Sequence, residues 1–410
     1  MTGGHDDRIA GNSAKKKRFV FSLISAILIV VIAYALLEFF TRIVIEQSRK
    51  DEVVSFYRKD DLIAQSLKPG SESTLTGGKG EFSVNIKTTA QGFRDAKIYQ
   101  VPKPANTFRI LMLGDSFTFG HGVEMEQTFS KVLEKSLNEK YDGAGKSFEV
   151  INAGYASGFT WDEHYLFLKE RGLRYQPDLV VVNAWAGNDL TDILGHEYPK
   201  LDSQGLPAKI VSKTMFVDSK GFLETKPPPV VIRIGVMGLK DHINAFCYKS
   251  VFCKIAIWPV ISSITREISS ATNPDQKELP PPPPSSSPYF AFLKKDLSPN
   301  INTAWETGQK ILLAANDVSV HAETAFMIVN IPVREEVYDP NGILRDTVLD
   351  SMRMEKFARK HSVAYCSPLA SLKQASSTSY FPLDSHLTAH GHRLTAEAIE
   401  GCLQPILKRL

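Results

Sequence analysis

Phe108-Arg109-Ile110-Leu111-Met112-Leu113-Gly114-Asp115-Ser116 runs from an apolar segment straight into a glycine, a carboxylate and a serine. An apolar run of this length, closed by a turn residue, predicts a buried strand over Phe108–Leu113. Ser116 then stands at the carboxyl edge of a sheet, with Phe117-Thr118-Phe119-Gly120 after it. Ligands of open α/β folds bind at that edge. A helix starting just past the serine would add free backbone N–H groups suited to an oxyanion. The same position also suits a serine that merely caps the helix. On this stretch alone, nucleophile and cap are both open.

Working outward, strand and helix patterns alternate. Phe148–Ile151, Leu179–Asn183, Phe326–Ile331 (ended by Pro332) and Val363–Cys366 read as further strands. Thr128–Leu137, Trp161–Glu170, Ala304–Ala315, Ile343–Lys360 and Arg393–Leu407 read as helices. Such alternation predicts an α/β class: a three-layer α/β/α sandwich around a five-stranded parallel sheet. The rhythm breaks between about 190 and 300. That stretch contains Pro227-Pro228-Pro229, an apolar segment at Cys247–Ile264, and Pro280–Pro284 followed by three serines. Consecutive prolines cannot continue a helix or an inner strand, so the stretch is an insertion containing an extended connector. Lys249, Lys254 and Arg266 interrupt its apolar part and favour a lid or packing element over a second membrane span.

Phe19 to Leu37 is 19 residues long without a charge. Helical, it would cross a hydrocarbon core of ~30 Å at ~1.5 Å per residue. A cleaved signal peptide is the competing reading, but Glu38-Phe39-Phe40-Thr41-Arg42 offers no small-x-small cleavage site. The cluster Lys15-Lys16-Lys17-Arg18 favours a cytoplasmic N-terminus. The expected organisation is a basic tail at 1–18, an anchor at 19–41, a polar connector and lead-in at 42–105 with some strand around Phe82–Ile86, and an exported catalytic domain at 106–410. In a cell with two membranes this places a single-pass protein in the inner membrane, with its domain in the periplasm. Residues 1–18 have a net charge of +3, equal to that of the whole 410-residue chain. The body is therefore neutral, and nothing in its charge suggests a nucleic-acid partner. Four cysteines, with no Cys-x-x-Cys pair, argue against a zinc ribbon. Pairing of Cys247 with Cys253 and Cys366 with Cys402 is the expected connectivity of three, and export would permit it.

The chemistry-bearing residues cluster at strand ends. Asn152-Ala153-Gly154 follows the second strand and Gly187-Asn188-Asp189 the third, on the same edge as Ser116. Both are turn formers by default. At that edge a glycine N–H and an asparagine amide can also serve as oxyanion donors. Near the C-terminus, Asp384 and His386 are two apart. In an extended loop that spacing sets both side chains on one face, ~7 Å apart at the backbone. A carboxylate, an imidazole and a serine are what acyl transfer needs, because a hydroxyl is a poor nucleophile until an oriented base takes its proton. His390, four residues past His386, raises a metal alternative, weakened by Gly391 and the lack of a clear third ligand. His390 and His392 are expected to face solvent or to lie behind the reacting groups.

Four blocks, in this order, resemble the SGNH/GDSL hydrolase superfamily: Gly-Asp-Ser-Phe-Thr-Phe-Gly from Gly114, Asn-Ala-Gly from Asn152, Gly-Asn-Asp from Gly187, and Asp-Ser-His-Leu-Thr-Ala-His-Gly-His from Asp384. They lie within 106–192 and 320–410, under half of the chain. The resemblance implies a flavodoxin-like sheet, Ser116 as nucleophile, His386 as base and Asp384 as its orienting carboxylate. It implies an oxyanion hole of the Ser116 N–H, the Gly154 N–H and the Asn188 side chain. It also implies ester hydrolysis through an acyl-enzyme, with no metal and no other cofactor. Many members space the last pair Asp-x-x-His; here it is Asp-x-His, a spacing seen among membrane-linked members that handle acyl groups on polysaccharides. The expected substrate is an acylated envelope glycan or lipid. An O-acyltransferase fed by a membrane-bound acyl donor and a non-catalytic glycan-binding module are the alternatives.

Overall fold

In a computed structural model, described residues fall mainly in 56–77, 80–143, 145–155, 159–185, 187–212, 292–338, 350–375 and 378–408, with shorter pieces of 21–40 and 215–225. By contacts, residues 51–230 and 280–410 form one compact unit; the second unit takes in 1–50 and 231–279. Within the first unit, the hairpins β1 (Tyr57–Lys59)–β2 (Gln65–Leu67) and β3 (Glu72–Thr76)–β4 (Ser83–Lys87) precede the main sheet. The sheet itself comprises β5 (Thr107–Gly114), β6 (Ser147–Gly154), β7 (Leu179–Trp185), β12 (Ala325–Ile331) and β13 (Ala364–Cys366). All its pairs are parallel, in the order β13-β12-β7-β5-β6. Each expected core strand is present, within a few residues of its predicted ends.

Period-two alternation along β5 builds the layers. Ile110 and Met112 pack with Val150, Val181 and Val329 against helices α2 (Phe129–Lys140) and α9 (Ala389–Leu407). Leu111 and Leu113 pack on the other face, with Ile151, Val180, Val182 and Ile328. That face is covered by α3 (Trp161–Phe167), α5 (Pro299–His321) and α7 (Asp350–Lys360); the short helices α6 (Arg334–Val337) and α8 (Leu369–Ala375) follow β12 and β13.

The expected turn at Gly187-Asn188-Asp189 opens a short helix, α4 (Asp189–Gly195). Two hairpins follow, β8 (His196–Leu201) with β9 (Pro207–Ser212) and β10 (Met215–Val217) with β11 (Leu223–Thr225). The helix predicted at Ala304–Ala315 is longer because Ser298 caps it and Pro299 opens its first turn. Cys366 and Cys402 are joined by a disulfide, their Cα atoms 6.0 Å apart. Cys247 and Cys253, the proline runs at 227–229 and 280–284, and the apolar segment at 247–264 lie outside the described residues.

Of the predicted anchor, residues 32–40 are helical, yet among the described residues no helix is long and apolar enough to cross a membrane. Residues 19, 20, 23, 27, 30, 31 and 41 of the 19–41 stretch fall outside that description. The lead-in, read as a connector, instead enters the core: Phe56, Ile63, Leu67, Leu75, Ile86, Phe93 and Tyr99 are buried in the cluster against β5 and β6.

Candidate active site

Facing glycines make room for the serine. Gly114 and Gly154 pair across β5 and β6. A Cβ on Gly114 would lie 1.9 Å from Thr118 Oγ1, and one on Gly154 would lie 2.3 Å from the Phe119 N. No larger residue fits either place while the one-turn helix α1 (Ser116–Phe119) lies across them. Asp115, not Ser116, caps this turn: its Oδ1 accepts from the Phe117 N–H at 2.9 Å. Gly120, at φ 88°, closes it in the left-handed region. The capping job is taken by a neighbour, which leaves the Ser116 hydroxyl to another partner.

That partner is His386. Its Nε2 lies 2.7 Å from Ser116 Oγ, across 270 residues of sequence. Its Nδ1 lies 2.5 Å from Asp384 Oδ1. The Asp-x-His segment is not the extended loop expected from the sequence. Ser385 sits at φ 70°, in the left-handed region, and donates its N–H to the Phe381 carbonyl at 3.1 Å. This tight turn, rather than strand alternation, brings the carboxylate beneath the ring. Glu81, from the lead-in, accepts the Leu383 and Asp384 N–H groups at 2.8 and 2.7 Å. Burial lowers the basicity of His386 and the Asp384 hydrogen bond raises it; the net shift is below the usual histidine value. Burial works to raise the Asp384 carboxyl, but the bonds and charges of His121 and His386 together outweigh it. Asp384 is therefore held below the ordinary carboxylate range.

His121 is the residue sequence reasoning missed. Its Nε2 lies 3.5 Å from the other Asp384 oxygen, and its ring packs on His386 with centroids 4.3 Å apart. Phe82 packs edge-on against it. One carboxylate thus faces two imidazoles. The available signal was His121 directly after the Gly-Asp-Ser block, without spacing to link it to Asp384.

Arg94 was missed as well. Fully buried, it donates from Nη1 to the carbonyls of Phe119 and Gly120 at 2.8 and 2.6 Å, and from Nη2 to Val123 at 2.6 Å. These carbonyls belong to the end of the nucleophile turn and the loop after it. We predict that Arg94→Leu lowers unfolding free energy by about 3–5 kcal/mol, because buried carbonyls lose a charged donor they cannot replace. Urea denaturation of the variant measures it.

Both predicted oxyanion side groups have internal partners. The Gly154 N–H donates to Asn152 Oδ1 at 3.0 Å. Asn188 Nδ2 donates to Asp192 Oδ2 at 2.8 Å, leaving its second N–H. His390 takes no part in the cluster; its Nδ1 lies 3.2 Å from Thr378 Oγ1. His392 is not solvent-facing: it is buried, accepts the Phe129 N–H at 3.1 Å, and burial pushes its pKa down to about 3. Among the described residues, two groups have metal-ligating atoms within 4.8 Å of one another: His121, Asp384 and His386, and Asp162, Glu163 and His196. In each, a histidine nitrogen is already bonded to the carboxylate. Both ring nitrogens of His386 are engaged, which argues against the His386–His390 metal pair.

No family model matches the chain, and no curated protein does. Among solved structures it is similar to a two-domain esterase active on acetylated mannans, at 12% identity and TM-score 0.35, over 74% of this chain and 50% of that one. The chain thus spans about half the length of that esterase. It is also similar to TesA, at 11% identity and TM-score 0.35, over 73% of this chain and 99% of that one. A third likeness is to a variant of Axe2, an acetylxylan esterase from Geobacillus stearothermophilus, at 11% identity and TM-score 0.37, over 72% and 94% of the two chains. The first and third of these neighbours are esterases by description.

Proposed function

We propose that the chain is a serine-dependent ester hydrolase that removes acyl groups from an envelope glycan or lipid. The observation that carries this reading is the unbroken contact from Ser116 Oγ to His386 Nε2 and from His386 Nδ1 to Asp384. Because Asp384 stays ionised and accepts from Nδ1–H, the lone pair of Nε2 faces the serine hydroxyl. Ser116 Oγ attacks the ester carbonyl as its proton passes to Nε2. The carbonyl oxygen becomes an oxyanion at the sheet edge, where Ser116 N–H and the second Asn188 N–H are the candidate donors, and the Gly154 N–H joins them only by leaving Asn152 Oδ1. Collapse expels the alcohol, which takes the proton back from His386, and leaves an acyl-serine. A water, deprotonated by the same imidazole, then releases the acid.

The anchor at 19–41 and an exported domain belong to this proposal. A Cys366–Cys402 disulfide suits an oxidising compartment. The Asp-x-His spacing also favours a second reading, in which a sugar hydroxyl replaces water and a membrane-bound partner supplies the acyl group.

The test is covalent labelling of the full chain in detergent by a fluorophosphonate, located by peptide mass spectrometry. Ser116 is expected to take up the phosphonyl group and no other serine. Absence of label on Ser116 would point to the non-catalytic glycan-binding module instead. If the unlabelled protein transfers acetyl from 4-nitrophenyl acetate to an oligosaccharide faster than to water, the transferase reading wins.

A further inference from the structure

We infer that Asp192 is a positioning residue of the oxyanion hole, with His196, from the hairpin that opens the 190–300 insertion, as its countercharge. The inference rests on the acyl-transfer reading above and names what aims one of its donors.

A primary amide has two N–H groups. Asn188 gives one to Asp192 Oδ2 at 2.8 Å. An ionised carboxylate only accepts, so this bond fixes which end of the amide is nitrogen and leaves the second N–H as the free donor. Among the described residues nothing holds the amide from its other end, since Asn188 Oδ1 is buried without a partner. The backbone supports the same geometry: the Asp192 N–H donates to the Asn188 carbonyl at 2.8 Å and Thr191 Oγ1 donates to it at 2.9 Å.

The surroundings are rich in acid. Asp162 and Glu163 open α3, Asp189 opens α4, and Asp115 precedes the nucleophile. Burial, set against His196 and the Asn188 bond, leaves Asp192 pushed up to about 6. His196 is the cation among them. Its Nδ1 lies 2.7 Å from Asp162 Oδ2, which also accepts from Tyr198 Oη at 2.8 Å. Burial lowers His196, but Asp162, Glu163 and Asp192 outweigh it and push it up to about 9. At neutral pH it is an imidazolium bonded to the Asp162 carboxylate, while burial holds the Glu163 carboxyl well above the usual range. His196 and Tyr198 both come from β8, so the insertion reaches behind the oxyanion edge. The mechanism as described uses none of these groups, and a passive ion-pair network is the competing account.

A double-mutant cycle separates the two. For hydrolysis of 4-nitrophenyl acetate, Asn188→Ala should lower kcat about 10²- to 10³-fold. Asp192→Ala should lower kcat about 10- to 100-fold with KM nearly unchanged, as expected when a transition-state donor is mis-aimed. Asp192→Asn should recover most of that loss, because its carbonyl oxygen accepts the same N–H. Asn188→Ala/Asp192→Ala should be no slower than Asn188→Ala alone. Multiplicative losses, or Asp192→Asn as slow as Asp192→Ala, would overturn the inference. Should Asp192→Ala not fold, the cycle is run with His196→Gln, whose loss must likewise vanish in Asn188→Ala. An unlabelled Ser116 defeats the acyl-transfer reading; multiplicative losses with Ser116 still labelled defeat only the role given to Asp192.

Discussion

Ser116→Ala is expected to lower kcat for 4-nitrophenyl acetate by about 10⁴-fold or more, with KM and thermal midpoint almost unchanged. The size follows from the roles in the site. Without Oγ there is no atom to form the acyl-enzyme, and His386 has no serine proton to take. What survives is whatever the oxyanion donors give to direct attack by water. Folding should be indifferent, because the helix cap belongs to Asp115 and the room for the turn is made by Gly114 and Gly154. Steady-state kinetics of the purified full chain, with circular dichroism as the folding control, reads the result. An alanine variant within tenfold of the parent would mean that another group attacks the ester. In that case His386 could still act as a base toward water, and His386→Ala would show whether it does.

The sheet was legible because buried parallel strands leave continuous apolar runs. Phe108–Leu113 and Leu179–Asn183 needed little more than their composition and their bounding turns. The serine, the histidine and their carboxylate were legible through the four blocks that resemble a known superfamily. Tertiary connections were not. Nothing in Gly92-Phe93-Arg94-Asp95 says that the arginine is swallowed whole and bound to carbonyls 25 to 29 residues further on. Glu81 gives no hint of bonding the backbone at Leu383 and Asp384. Both sit in a polar stretch read as a connector, since composition reports average solvation and not the one contact that matters. Ser385 shows the same limit at close range. The spacing correctly paired Asp384 with His386, but the backbone that joins them is left-handed at Ser385, not extended.

Asp384→Asn is expected to cost about 10⁴-fold in kcat at neutral pH while leaving the fold intact. The argument is about which nitrogen holds the proton. A carboxylate accepts only, so it fixes the hydrogen on His386 Nδ1 and turns the bare Nε2 toward Ser116. An amide nitrogen facing Nδ1 would donate instead, forcing the hydrogen onto Nε2, where it blocks the proton it should receive. The bond and the charge of Asp384 both raise the basicity of His386, while burial and His121 lower it. Without the carboxylate, His386 should become a weaker base, and the acid limb of kcat/KM should move to lower pH. His121→Gln should do the reverse. It removes a neighbour that lowers His386, so the pKa rises and the imidazole charges at higher pH. The neutral imidazole is the working base, so the acid limb then moves to higher pH. The two shifts have opposite signs, which neither a general loss of packing nor altered substrate binding would produce. If both variants moved the limb the same way, or neither moved it, Asp384 would not be the group that sets the basicity of His386.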